Sequence, residues 1–238
     1  MKKLLKPTFI RIYTLLFGPP QGPIFGERFS KLYTISDYLP QWITNPFRKL
    51  MDKIALKAWE KNGYPIPPPH IVKQLTIKQY RDNYNYPLFV ETGTYKGAMV
   101  EAQKKRFKRI ISIELGVDLF DKATKRFRND KNITILHGDS GKVLHEIIPA
   151  INEPAIFWLD GHYSFGITAK GDKECPIFEE LEAIFNSKNF NHILLIDDAR
   201  CFIGKGDYPT IDMITEYINN KNEKYQVEVR DDIIRYTI

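Results

Sequence analysis

The chain has 238 residues, 35 Lys+Arg against 29 Asp+Glu, a formal net charge of +6, and 43% hydrophobic and 27% charged residues. These proportions exclude a disordered, collagenous or low-complexity chain, and the length suits one good-sized domain with an extension, or two small ones. Two cysteines, Cys175 and Cys201, cannot make a disulfide framework and point to a reducing, cytoplasmic setting. The charge is uneven: residues 1–86 carry 14 Lys+Arg and 5 Asp+Glu (+9), residues 87–238 carry 21 and 24 (−3). The +6 therefore does not describe a basic domain that tracks nucleic acid.

Met1 to Phe17 (MKKLLKPTFIRIYTLLF) is basic and apolar and contains no acid. Arg11 interrupts the apolar run and no small-residue cleavage site follows, which argues against a signal peptide. The run is shorter than the roughly 20 apolar residues of a membrane span. It reads as an arm packed on the main domain, with a membrane-surface anchor as the second reading. Gly18-Pro19-Pro20 breaks the chain. Asn45-Pro46 predicts a helix start, with Gly63 beyond its end near Asn62. Phe47, Met51, Ile54 and Ala58 make its apolar face. Beside them, Lys49, Lys53, Lys57 and Lys61 form an i, i+4 row that reads as a solvated face, or as contact with an anionic lipid or polysaccharide. Pro65 and Pro67 to Pro69 predict a stiff linker, and a short helix near Thr76–Asn83 leads onward. Residues 1–86 are thus expected to be a basic, mainly helical extension, and 87–238 the main domain.

From Leu88 the pattern becomes short apolar runs separated by amphipathic stretches. Strands are expected at Leu88–Glu91, Ile110–Glu114, Ile133–Leu136, Ala155–Leu159 and His192–Ile196, and helices near Gly97–Arg106, Leu119–Asn129, Ser140–Ile148 and Pro176–Phe185. Apolar runs of this length suit strands buried on both faces, and the alternation predicts an α/β fold with helices on both sides of a parallel sheet. Tyr225–Val229 and Ile233–Thr237 alternate around Arg230-Asp231-Asp232 and predict a terminal antiparallel hairpin.

In an open α/β sheet, ligands gather at the carboxyl ends of the strands. The first strand is followed by Glu91-Thr92-Gly93-Thr94-Tyr95-Lys96-Gly97, where Gly93 and Gly97 permit tight turning and close approach to a ligand. The spacing lacks the middle glycine of G-x-G-x-x-G, and the lysine is not in a G-K-[ST] setting, so phosphate binding is disfavoured. Glu114 ends the second strand, 21 residues after Gly93, where a carboxylate accepts from ribose hydroxyls. Gly138-Asp139-Ser140 follows the third strand and offers a carboxylate to an adenine amine. Each acid alone has a surface or capping reading; their recurrence at successive strand ends points to a nucleoside.

The pieces FVETGTYKG, ISIE, HGDS, the acid after the fourth strand and the hairpin resemble the class I S-adenosylmethionine-dependent methyltransferases over residues 87–238. The resemblance implies a Rossmann-like, seven-stranded, mostly parallel sheet with an antiparallel last strand. It implies a cofactor pocket built by Glu91, Thr92, Gly93, Thr94, Tyr95, Gly97, Glu114, Asp139 and Ser140, with Glu91 and the glycine loop near the methionine part. The loop departs from the commoner form in carrying Thr94-Tyr95-Lys96 between its glycines.

The fourth strand ends in Asp160-Gly161-His162-Tyr163 and the fifth in Asp197-Asp198-Ala199-Arg200. Three carboxylates at neighbouring strand ends repel one another unless protonated or neutralised, and a divalent cation such as Mg²⁺ resolves this with oxygen ligands. Such a cation would hold a substrate hydroxyl and lower its pKa. In the other reading, Asp197 or Asp198 caps the following segment and pairs with Arg200. Asp160, Asp197 and Asp198 resemble the metal-dependent sugar O-methyltransferases of macrolide (macrocin-type) and aminocoumarin biosynthesis, although His162 stands where those tend to have an acid. His162 is the candidate general base, or else a ligand or loop partner. Phe165–Glu174 reads as a lid or an ordinary loop, and Cys175 as structural.

The expectation is an S-adenosylmethionine-dependent O-methyltransferase acting on a sugar or glycan hydroxyl, assisted by a divalent cation, with Asp160 and His162 in the chemistry. The alternatives are a methyltransferase of a small phenolic or carboxylate metabolite, and a non-catalytic S-adenosylmethionine-binding protein. Nucleic acid as substrate is disfavoured: no Asn/Asp-Pro-Pro-Tyr/Phe follows the fourth strand, and the domain carrying the chemistry is net acidic. The basic extension offers peripheral membrane contact as a further expectation.

Overall fold

The computed structural model describes residues 41–161, 174–186 and 191–238, with side chains from residue 48 onward. The chain divides into two compact units, Met1–Pro65 and Ile66–Ile238. The first contains helix α1, Gln41–Lys61. It begins four residues before the Asn45-Pro46 start expected from sequence, because the apolar spacing runs on upstream through Ile43. Met51 and Trp59 are buried, and Lys49, Lys53, Lys57 and Lys61 are all exposed. Trp59 Nε1 donates to the Pro65 carbonyl (2.8 Å), and its ring meets Tyr64 edge-on, which folds the helix end back on itself. No helix among the described residues is long and apolar enough to cross a membrane.

The second unit opens with α2, His70–Tyr84. This helix starts six residues earlier than the sequence predicts. Pro69 takes the N-cap position at φ −65°, so the proline run ends where the helix begins and does not delay it. Then follow β1 (Leu88–Thr92), α3 (Ala98–Gln103), β2 (Arg109–Glu114), α4 (Val117–Phe127), β3 (Ile133–His137), α5 (Ser140–Ile147) and β4 (Ala155–Leu159). The chain continues with α6 (Ile177–Phe185), β5 (Ile193–Ile196), α7 (Ile211–Lys221), β6 (Gln226–Arg230) and β7 (Ile233–Thr237). Helix α7 has no counterpart among the elements expected from sequence. Its signals are the Thr210 side chain, which caps the Met213 N–H, and Ile214 and Ile218 one turn apart and buried.

The seven strands order as β3-β2-β1-β4-β5-β7-β6. β1 to β5 pair in parallel, and β7 inserts antiparallel between β5 and β6. Both faces are covered, because alternate residues of each central strand point to opposite sides. Val90, Ile113, Phe157, Leu194 and Tyr236 pack with Leu144, Leu181, Ile214 and Ile218 of α5, α6 and α7. Phe89, Ile110, Ile156, Trp158 and Leu195 pack with Ile77, Val100 and Phe127 of α2, α3 and α4. Each such fully buried aliphatic or aromatic side chain contributes about 1.5–3 kcal/mol.

The hairpin turn is Asp231-Asp232, with φ +54° and +62°. Two left-handed residues in a two-residue loop match the right-handed twist of the flanking strands. The turn is also tied to the end of β5: the Asp232 carbonyl accepts from the Ala199 N–H (2.8 Å), and its carboxylate accepts from the Arg200 N–H (2.9 Å) and from the Arg200 guanidinium.

Candidate active site

The loop after β1 is folded tightly over β2. The N–H groups of Gly93 and Thr94 both donate to the Ile113 carbonyl (2.9 and 3.1 Å). Gly93 has φ +83°, and a Cβ there would stand 2.3 Å from the Asp160 carbonyl oxygen. Any side chain would force the β1 and β4 ends apart, so glycine is what lets these two loops share one rim. Gly97 has φ +72° and lies against the Phe127 ring.

Glu114 clamps this rim. Oε2 accepts from the Tyr95 N–H (2.7 Å) and Oε1 from the Gly116 N–H (2.8 Å), so one carboxylate joins the loops after β1 and β2. A carboxylate offers about four acceptor positions, which leaves one on each oxygen for a hydroxyl of a bound diol.

Behind the rim lies a buried polar chain. Glu91 and Ser112 are register partners on β1 and β2, and Ser112 Oγ donates to Glu91 Oε2 (2.5 Å). Thr94 Oγ1 lies 2.6 Å from the same hydroxyl. Glu91 is 2% exposed. Desolvation pushes its carboxyl well above the usual range, Asp160 and Glu114 push the same way, and Ser112 opposes them. Ser112 escaped sequence reasoning, since a serine inside an apolar strand reads as filler until the register pairs it with Glu91.

Asp139 is the N-cap of α5, with Oδ1 accepting from the Gly141 N–H (3.0 Å). This is the capping role that sequence reasoning held beside the adenine role; a cap of this kind is worth about 1 kcal/mol. Ser140 and Thr92 meet at the β4 loop, where a Cβ on Gly161 would come 2.8 Å from Ser140 Oγ and 3.1 Å from Thr92 Oγ1. Thr92 Oγ1 also accepts from the Asp160 N–H (3.1 Å). The buried Glu180 of α6 reaches the same point, 2.8 Å from that Cβ position, and is another residue that sequence reasoning did not single out.

Asp160, Asp197 and Asp198 do gather at the ends of β4 and β5. Their neutralising charge comes from within the chain. Lys73 of α2 places Nζ 2.5 Å from Asp197 Oδ2 and 3.2 Å from Asp198 Oδ1. Asp197 is 1% exposed; its Oδ1 accepts from the Asp198 N–H (2.8 Å). Burial first, then Asp160, raises the Asp197 carboxyl, with Lys73 pulling the other way. Burial works against the Lys73 ammonium, but Asp197, Asp160 and Asp198 together outweigh it and raise its pKa. Asp198 sits at φ +54°, and its Oδ1 also accepts from Arg200 Nη1 (2.9 Å), the pairing anticipated from sequence.

This arrangement does not fit the divalent cation expected from sequence. Mg²⁺ binds oxygens at about 2.0–2.1 Å, and a cation between Asp197 Oδ2 and Asp198 Oδ1 would fall where the ammonium lies. Among the described residues, no group of three His, Cys, Asp or Glu is placed to hold a metal ion. Lys73 carries no sequence signal of this role, because it falls between the proline linker and the helix expected from Thr76.

His162 and Tyr163 lie outside the described residues, as does the Phe165–Glu174 loop except Glu174, whose N–H donates to Asp207 Oδ2 (2.8 Å). Cys175 is buried, and burial pushes its thiol up to about 12, in keeping with a structural role.

The acceptor-rich rim suits a ligand that donates hydrogen bonds and carries positive charge, as S-adenosylmethionine does through its ribose hydroxyls, ammonium and sulfonium. No protein-family model and no curated protein sequence matches the chain. Solved structures do. The O-methyltransferase TomG from Streptomyces achromogenes, involved in tomaymycin synthesis and solved with S-adenosylmethionine, is 12% identical over 79% of this chain and 88% of its own, with a TM-score of 0.54. An O-methyltransferase from Bacillus cereus in complex with S-adenosylhomocysteine is 12% identical over 79% of this chain and 90% of its own, at 0.52. Podospora anserina methyltransferase PaMTH1, bound to S-adenosylhomocysteine, is 13% identical over 91% and 97%, at 0.50. Identity this low speaks for the fold alone, and with the strand order above it gives the conclusion: the chain has the Rossmann-like fold of the class I methyltransferases.

Proposed function

We propose that the protein is an S-adenosylmethionine-dependent O-methyltransferase whose acceptor is a sugar or glycan hydroxyl. The observation that carries the reading is the Glu114 clamp, a strand-end carboxylate that fixes the β1 loop while keeping an acceptor position on each oxygen. On this fold that is the place for a ribose diol. Bound there, S-adenosylmethionine supplies an electrophilic methyl group on a sulfonium centre.

The chain's own residues do the rest. Glu114 orients the ribose, and the second oxygen of Asp139 faces the base. Glu91, Ser112 and Thr94 form a stiff polar floor beneath the methionine end. Asp160, together with Asp197 and Asp198 held by Lys73, lines the acceptor side. The acceptor oxygen attacks the methyl carbon in line, its proton passes to a base, and the C–S electron pair leaves with the sulfur. His162 is the candidate base, since imidazole titrates near neutrality. No step runs through a divalent ion.

The sugar assignment rests on the Asp160, Asp197 and Asp198 pattern. The second reading, a small-metabolite acceptor, is favoured by the similarity to TomG. Radiolabelled methyl transfer to a panel of glycosides and phenols separates them. Label in glycosides, lost in His162→Ala, supports the first reading. Label confined to phenols overturns it.

A further inference from the structure

Helix N-termini favour anions, because the unpaired N–H groups and the macrodipole place positive potential there. Helix α2 runs against this rule: its first turn holds no acid, and Lys73 is its fourth residue. A cation in that position is unfavourable locally, so something outside the helix must hold it. The holders are Asp197 and Asp198, more than 120 residues away in sequence. The contact is sheltered, with side-chain exposures of 15%, 1% and 14% for Lys73, Asp197 and Asp198. The partner loop is built to meet it. Asp198 is held in the left-handed region, Arg200 braces its carboxylate, and Asp232 of the hairpin turn anchors Arg200.

We propose that Lys73 is the resident cation of this carboxylate cluster, standing in place of a divalent metal ion and fixing Asp197 and Asp198 for the acceptor. The two cations exclude each other, because they would use the same two oxygens. Two of the three ammonium protons are committed to Asp197 and Asp198 among the described residues, which leaves one donor for an acceptor oxygen. Lys73 acts as a donor and not as a base, since its neighbours hold its proton in place. The role in methyl transfer rests on the function proposed above; the cation assignment does not.

Calorimetric titration of the full chain with MnCl₂, without S-adenosylmethionine, tests the assignment. Wild type is expected to give no specific binding. Lys73→Ala and Lys73→Gln vacate the position and gain Mn²⁺ affinity by about tenfold or more, whereas Lys73→Arg, which restores a cation, does not. Stoichiometric Mn²⁺ binding by wild type overturns the proposal, and so does the absence of any gain in both neutral variants. Should those variants fail to fold, the wild-type melting temperature decides: it is expected to be equal in Mn²⁺ and in EDTA, and a rise in Mn²⁺ overturns the proposal. S-adenosylhomocysteine binding, measured separately, reports on the methyltransferase reading, so the two can fail independently.

Discussion

Glu91 sits where its charge is hardest to hold. It is buried, its carboxylate shares the site with Asp160 and Glu114, and one serine hydroxyl is its named donor. The sign of the consequence follows from linkage. Below the ordinary value of 4.5 the carboxyl is protonated in both folded and unfolded chains, and costs nothing. As pH rises above 4.5, the unfolded chain ionises first, and stability is lost until the folded carboxyl also ionises. Glu91→Gln keeps the shape without the charge. Its melting temperature relative to wild type is therefore expected to rise progressively from about pH 4.5 upward. A difference that does not change with pH would show that the carboxyl is not strained. Glu114 is the contrasting case. Its position was legible from sequence because an acid ending a strand is a local signal. Its use as a clamp was not, because the Tyr95 and Gly116 N–H groups come from two different loops.

At the scale of elements, apolar run length sufficed for the five parallel strands and the hairpin, since strands buried on both faces leave a continuous apolar record. Two helices were less legible. Three successive prolines read as linker and hide the first six residues of α2, whereas Pro69 is the cap on which the helix starts. Helix α7 leaves a faint sequence record because its apolar positions, Ile211, Ile214 and Ile218, are sparse among polar residues. Lys73, which pairs with Asp197 and Asp198, lies in the hidden stretch of α2. Helix α1 carries a different question. Its four exposed lysines make one basic stripe, and we propose that the stripe meets an anionic surface. Each lysine near an anionic membrane is worth about 1 kcal/mol, so Lys53→Glu with Lys57→Glu should lower partitioning onto phosphatidylserine vesicles by roughly tenfold or more. Partitioning that is equal for the variant and wild type would leave the row as a solvated face.

Across the whole molecule, the net charge of +6 falls unevenly on the two units, +7 over residues 1–65 and −1 over the sheet-bearing unit 66–238. Many of the latter unit's acids now have structural partners: Glu91 with Ser112, Glu114 with two loop amides, Asp139 with α5, Asp197 and Asp198 with Lys73, and Asp232 with Arg200. Convergence of the strand-end acids followed from topology, which parallel strands impose on any ligand site. What neutralises them did not follow, because a single lysine delivered from before the sheet leaves no spacing pattern. Binding of the S-adenosylmethionine nucleoside at the Glu114 rim is tested by calorimetric titration of wild type and Glu114→Ala with S-adenosylhomocysteine. The expected result is one site in wild type and affinity about 10- to 100-fold weaker in the variant, since hydrogen bonds to a charged group contribute about 1.5–3 kcal/mol. No binding by folded wild type, or equal binding by both proteins, would contradict it.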